Sequence, residues 1–167
     1  MTDPLTLRPA IASDLPGVLR LYAQPDIDDG DVLALPDATR LWERMATYPN
    51  YKLHVAVEGA GVVGTFALLI MDNIGHLGAP SAIVEDVAVD PAMQGRGIGK
   101  AMMRHAITLA TQSGCYKLTL SSNLKRDKAH AFYESLEFER HGYSFRMALP
   151  SAPPYTLLIQ ELLAPDG

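Results

Sequence analysis

The stretch Ile83–Gly114, IVEDVAVDPAMQGRGIGKAMMRHAITLATQSG, decides how the rest of the chain is read. It opens on a β-rich run, Ile83 to Val89, and turns at Asp90-Pro91. A loop follows with glycines at alternate positions, Gly95, Gly97 and Gly99, and then a helical pattern runs to Gly114. Glycine tolerates φ > 0 and lets a ligand come close to the backbone. A helix start leaves N–H groups without internal partners at the positive end of the helix dipole. Strand, glycine loop and helix start in this order make a cradle for an anion, most often a phosphate.

Two common phosphate motifs do not fit. A Walker A loop needs Gly, four residues, then Gly-Lys-Ser/Thr. Here Gln94 stands five residues before Gly99, and Ala101 follows Lys100. A dinucleotide fingerprint needs GxGxxG and an acid at the end of the next strand. Gly95, Gly97 and Gly99 misplace its third glycine, and the next strand ends in Ser121-Ser122.

The pattern Q/R-x-x-G-x-G/A does fit, with Gln94, Gly97 and Gly99, and it resembles the pyrophosphate loop of the GNAT-type N-acyltransferases. The later segment SSNLKRDKAHAFYESLEF, Ser121 to Phe138, is similar to that family's second motif, an Asn before a helix carrying Phe-Tyr. Gly114-Cys-Tyr-Lys117 resembles glucosamine-6-phosphate N-acetyltransferases and their bacterial relatives. The resemblance spans residues 5 to 149 and is specific from 83 to 138. It implies an α/β (α+β) domain over 1–149, with a mixed, mostly antiparallel sheet of about seven strands flanked by helices. The strands around 83–89 and 117–121 would be a parallel pair that parts to admit the acyl-CoA. Residues 150–167 are an extension of unassigned role.

Composition narrows the function from another direction. Hydrophobic residues make up 48% and charged residues 20%, the balance of a globular domain. A net charge of −5 with no basic block argues against a nucleic-acid partner. No apolar run approaches the ~18 residues of a membrane span, and MTDPLTLRPA lacks the pattern of a signal peptide. The single Cys115 cannot form an internal disulfide, so a reducing cytoplasm is the expected setting. At the start of a strand after a glycine, Cys115 reads as packing.

The remaining elements follow in order. Leu5 to Arg8 alternates as a strand ended by Pro9, and Ser13-Asp14 caps a helix carrying Leu15, Val18, Leu19 and Tyr22. Asp26, Asp28, Asp29 and Asp31 form an acidic stretch whose glycine and twelfth residue do not match a calcium loop. It reads either as a solvated loop or as a negative rim that attracts a cationic amine. A second helix runs from Asp37 to Tyr48. Lys52–Glu58 and Val62–Met71 pair across Gly59-Ala60-Gly61, the latter strand apolar enough to be covered on both faces. His76 lies in a loop and reads as exposed. Lys117–Leu120 is a short strand and Lys125–Leu136 a helix with one apolar face. Glu139–His141 and Tyr143–Leu149 read as a final antiparallel pair. The run Thr156–Leu163 reads as an added strand, a helix or a contact in a homodimer.

Chemistry is carried by few residues. A protonated amine with a pKa near ~10 must lose its proton, and the thiolate that departs must be protonated. Alternation along the strand puts Ile83, Glu85, Val87 and Val89 on one face and Val84, Asp86 and Ala88 on the other. Only one acid then faces the acceptor unless the strand bulges. The resemblance implies Glu85 as base, through water, with Asp86 in reserve and an ion pair with Arg146 as the structural alternative. It implies Tyr133 as general acid beside the CoA sulphur. It further implies cofactor contacts from Val87, Ala88 and Val89 along the pantetheine arm and from Gln94, Gly95, Arg96, Gly97, Ile98, Gly99 and Lys100 around the pyrophosphate. Asn123 and Phe132 would line the pantetheine, with Arg126 and Lys128 less favoured contacts to the 3′-phosphate. Acetyl-CoA is the implied cosubstrate, no metal is called for, and a small amine or amino sugar is the implied acceptor.

One residue departs from the family pattern. Glu137 stands where a glycine usually closes the Phe-Tyr helix in the left-handed conformation, at a cost of about 1 kcal/mol. A non-catalytic acyl-CoA-binding sensor is the alternative reading, and an NAD-dependent oxidoreductase is disfavoured by its missing glycine and acid.

Overall fold

A computed structural model describes residues 3–25, 27–147 and 149. The extension 150–167, with its apolar run, lies outside the described residues, as does Asp26 of the acidic stretch. The elements are β1 (Thr6–Pro9), α1 (Leu15–Tyr22), α2 (Leu35–Ala46), β2 (Tyr51–Glu58), β3 (Gly61–Met71), β4 (Ser81–Val89), α3 (Ile98–Gln112), β5 (Leu118–Leu120) and α4 (Asp127–Glu134). They build one α/β domain around a five-stranded sheet in the order β1-β2-β3-β4-β5. The first four strands are antiparallel neighbours, and β4 and β5 are the parallel pair.

Local sequence explains most of these boundaries. α1 and α2 each begin with a proline in the first turn, where no N–H is needed. The apolar run in β3 is buried from Val62 to Leu68, because α1 packs on one face of the sheet and α3 on the other. The principal core joins Ala56, Val63, Phe66, Ala82 and Val84 to Met102, Met103 and Ala106 of α3. A second cluster joins Val55, Val62 and Ala88 to Val18 and Leu21 of α1.

Among the described residues the sheet holds five strands, where about seven were expected. Residues 139–147 and 149 form neither helix nor strand, so the expected final hairpin is not present among the described residues. Its alternating apolar side chains, Tyr143, Phe145, Met147 and Leu149, stand exposed instead of meeting a sheet.

His54 is a polar residue inside the principal core. It is 4% exposed, stacks on Phe66 at 5.0 Å and meets His105 of α3 edge-on at 5.5 Å. Its Nδ1 and the Nε2 of His105 find no hydrogen-bond partner among the described residues. Burial, then the nearby His105 and Lys52, depress its pKa from 6.5 to about 4. The unfolded chain therefore binds a proton in this interval that the folded chain does not. Stability falls as pH drops through that window, by on the order of 2 kcal/mol at about pH 5 relative to about pH 7. Denaturant titrations at both pH values should show that loss in the wild-type chain and a smaller one in His54→Phe.

Candidate active site

The site lies where β4 and β5 part. Their pairing covers only Ala82↔Leu118, Ile83↔Thr119 and Val84↔Leu120. Beyond Val84, the β5-side edge of Glu85–Val89 has no strand partner among the described residues. Backbone donors and acceptors along an open edge are ready to pair with an extended ligand.

The β4 strand bulges at this point. Thr65 pairs with Ala88 and Ala67 with Glu85, so Phe66 alone opposes both Asp86 and Val87. Asp86 absorbs the extra residue with φ +52°. The bulge inverts the facing of the strand. Before it, Ala82 and Val84 pack into the α3-side core; after it, Val87 and Val89 do. Ala88 joins the α1-side cluster. Glu85 and Asp86 therefore share the α1 side, and the strict alternation read from the sequence is corrected here.

Both acids meet other titratable groups on that side. Asp86 has its pKa raised by burial and then by Asp28; Glu85 is raised by burial and then by Asp86. Burial pushes the Tyr22 hydroxyl far up, with Asp86 as the next contribution, and also raises Tyr51, followed by Asp86 and Glu85. Asp28 belongs to an open groove of about 480 Å³ lined by Ile27, Asp28, Asp29, Asp31, Val32 and Leu33. Glu85 makes no ion pair with Arg146 among the described residues. Sequence reasoning missed Tyr22 and Tyr51 as neighbours of the acids. Tyr22 read as part of the apolar face of α1, and Tyr51 fell just before the expected strand.

The other side of the opening is the start of α3. Its N-cap is Gly97, in the left-handed region at φ 81°, with no capping side chain and no acid in the first turn. The amides of Ile98, Gly99 and Lys100 precede the first helical bond, from Ala101 N–H to the Gly97 carbonyl at 3.0 Å. They are thus left for an outside acceptor. A Cβ at Gly99 would come within 3.3 Å of Phe132 Cζ, so Phe132 of α4 closes directly over this helix start. The donor set, the positive φ at Gly95 and Gly97, and the apolar lid suit a diphosphate attached to an extended chain.

Not every expected contact gathers here. Arg96 is engaged by Glu58 of β2 at 2.7 Å. Gln94 and Lys100 are exposed beside the loop. The Asn123 side-chain oxygen accepts from the Lys125 N–H at 3.0 Å, which leaves its NH₂ as the group able to donate to a ligand. Beside it, the buried Ser122 Oγ has no partner among the described residues. Cys115 is half-buried and burial raises its thiol pKa, in keeping with a packing role. His76 is exposed and stacks on Tyr116 at 4.1 Å.

Tyr133 is half-buried next to Phe132, with Phe138 edge-on at 5.9 Å. Burial raises its pKa against a smaller opposing effect of Arg126, so the hydroxyl keeps its proton at neutral pH. The turn after α4 keeps the conformation that glycine would adopt: Glu137 has φ 68°, and the Phe138 N–H donates to the Tyr133 carbonyl at 3.2 Å. Glutamate is strained there but does not displace the turn. Glu137→Gly should raise unfolding stability by about 1 kcal/mol, read as a shift in the denaturant midpoint at unchanged slope.

Residues 17–138 match the profile of the Acetyltransferase (GNAT) family. The chain is 35% identical over 88 residues to a glucosamine 6-phosphate N-acetyltransferase of Trypanosoma brucei brucei, covering 53% of this chain and 58% of that protein. It is 31% identical over 101 residues to an aminoalkylphosphonate N-acetyltransferase of Salmonella typhimurium, covering 60% and 65%. The chain thus spans less than two thirds of either curated relative. The solved structure named "Putative acetyltransferase from Agrobacterium tumefaciens str. C58" superposes with TM-score 0.81 at 34% identity, covering 86% of this chain and 99% of that one.

Proposed function

The chain belongs to the acetyltransferase (GNAT) family, and on that premise we propose that it is an N-acetyltransferase moving an acetyl group from acetyl-CoA to the primary amine of a small molecule or amino sugar. One observation carries the reading: β4 is released from β5 after Val84 and lies open beside an uncapped, glycine-rich helix start. Relatives named for two different amine acceptors support the coarse acceptor class without selecting one. The thioester of acetyl-CoA supplies the activated acyl group.

The roles of this chain's own residues follow. The amides of Gly95 through Lys100 hold the diphosphate, helped by Gln94 and by Lys100. The open edge at Val87, Ala88 and Val89 pairs with the pantetheine arm, and one N–H there stabilises the oxyanion. The Asn123 amide and the Phe132 ring fix the other side of the arm. Arg96 serves the cradle only after leaving Glu58. Glu85, with Asp86 beside it, takes the proton of the amine through water, and Tyr133 returns one to the thiolate. The aspartates at 28, 29 and 31 draw a cationic acceptor toward the bulge. A cytoplasmic setting and a homodimer are part of the same proposal.

The test is a screen of amines with acetyl-CoA, read by thiol release and by mass of the product. Acetylation of at least one amino sugar or small primary amine is expected. Saturable acetyl-CoA binding with no acetylated product from any amine would replace this reading with an acyl-CoA sensor.

A further inference from the structure

The loop that carries the glycines is fastened near both of its ends by ion pairs from other parts of the fold. At its entry, Arg20 of α1 places Nη1 2.6 Å from Asp90 Oδ2 and Nη2 2.8 Å from the Val62 carbonyl. Near its exit, Arg96 Nη2 lies 2.7 Å from Glu58 Oε1 at the end of β2. Arg20 and Glu58 stand 70 and 38 residues away from these partners in the chain.

The two pairs differ in what they hold. Asp90 is bound through its N–H, its carbonyl and both carboxylate oxygens. The N–H donates to the Val63 carbonyl at 2.9 Å, and the carbonyl accepts from the Met93 N–H at 2.8 Å. Oδ1 accepts from the Ala92 N–H at 3.0 Å, and Oδ2 receives Arg20. The Arg20 bond and then the Ala92 bond hold the carboxyl below the usual carboxylate range, so it is charged at neutral pH. The helix that supplies Arg20 is itself fixed, since Val18 and Leu21 are buried with Val62 in one cluster. Arg96 is held more loosely. Its side chain is 42% exposed and also rests on Met93 Sδ at 3.0 Å. Gly95 and Gly97 on either side have positive φ and open space around them, so Arg96 can swing toward the loop amides without a clash.

We propose that Arg20 and Glu58 set the affinity of this loop for a diphosphate, in opposite directions. Arg20 is a positioning residue that keeps the entry of the loop fixed before the ligand arrives. Ordering of the loop then takes place in folding and not in binding. Glu58 is a latch that keeps Arg96 off the ligand until a stronger anion displaces it. A diphosphate carries more negative charge than one carboxylate and offers more acceptor oxygens, so Arg96 changes partner when it binds. Both roles rest on the acetyl-CoA reading of the cradle and add to it two residues outside the glycine motif.

Calorimetric titration of the full chain and its variants with acetyl-CoA reads both roles. Arg20→Gln should raise the dissociation constant about fivefold, and Glu58→Gln should lower it about threefold. Arg20→Lys keeps the charge but loses the two-pronged grip, so its affinity should fall between Arg20→Gln and the wild type. Asp90→Asn separates clamping from simple charge. Removing a negative charge near an anion site would by itself tighten binding, yet loss of the clamp should weaken it about threefold. Glu58→Gln should have no effect in an Arg96→Gln background, because it acts through that arginine. In the unliganded chain, the amides of Ala92 and Met93 should exchange faster in Arg20→Gln, while those of residues 102–106 keep their rate. Tighter binding by Asp90→Asn, or unchanged amide exchange in Arg20→Gln, would overturn the clamp. A gain from Glu58→Gln that persists without Arg96 would overturn the latch, as would no gain at all. Absence of saturable acetyl-CoA binding by the wild type would overturn the proposal together with the acetyl-CoA reading. Binding that no variant alters would overturn the proposal alone.

Discussion

Tyr133→Phe is expected to lower kcat about 100-fold while changing the dissociation constant of acetyl-CoA by less than about twofold. The split follows from the environment of the ring. Phe132 and Phe138 hold the aromatic body, which phenylalanine preserves. Only the hydroxyl is lost, and burial keeps that hydroxyl protonated. A proton donor to the leaving thiolate acts in the chemical step, so its removal appears in kcat and not in binding. Acetyl thioester donors with more acidic thiol leaving groups should suffer less from the substitution. A kcat within threefold of wild type would return Tyr133 to the role of a packing residue whose hydroxyl takes no part.

The second large effect concerns the two acids at the bulge. Glu85→Gln should reduce kcat/KM by about 100-fold near neutral pH, and Asp86→Asn by about tenfold. The pH dependence separates the two roles. Both carboxyls have raised pKa values, and Asp86 is one cause of the rise at Glu85. With Glu85 as base, activity falls on the acid side as that carboxylate takes up a proton. Removing the Asp86 charge lowers the Glu85 pKa, so the acid limb in Asp86→Asn should move to lower pH. If Asp86→Asn instead abolishes activity and Glu85→Gln retains it, the base is Asp86. If neither substitution costs more than about threefold, neither carboxylate is the base and solvent removes the proton.

The parts of the fold that could be read from sequence are those where local pattern and tertiary environment agree. β3 is an unbroken apolar run because both of its faces are covered, and the parallel pair of β4 and β5 flanks the motif helix as expected. The glycine loop was legible because φ > 0 at Gly95 and Gly97 restricts the side chains that the backbone tolerates. Glu137 shows the reverse case, in which the turn dictates the conformation and the residue bears the strain. The bulge at Asp86 was not legible. Period-two alternation assumes a regular ladder, and nothing in IVEDVAV marks where one residue leaves it. That single irregularity brings both acids to the α1 side, with Tyr22 and Tyr51 as neighbours. The engagement of Arg96 by Glu58 was equally hidden, because the two are 38 residues apart in the chain. The expected final hairpin is not formed among the described residues: alternation at Tyr143, Phe145 and Met147 suits a strand, but it does not by itself secure a pairing partner.

The central claim is that the open edge of β4 and the uncapped start of α3 bind acetyl-CoA. The most direct measurement is calorimetric titration of the full chain with acetyl-CoA, NAD and ATP in parallel, repeated with Gly99→Leu. Saturable binding of acetyl-CoA alone is expected. Loss of that binding is expected in Gly99→Leu, whose side chain would meet Phe132 over the helix start. Binding of NAD in place of acetyl-CoA, or acetyl-CoA affinity untouched by Gly99→Leu, would contradict the claim.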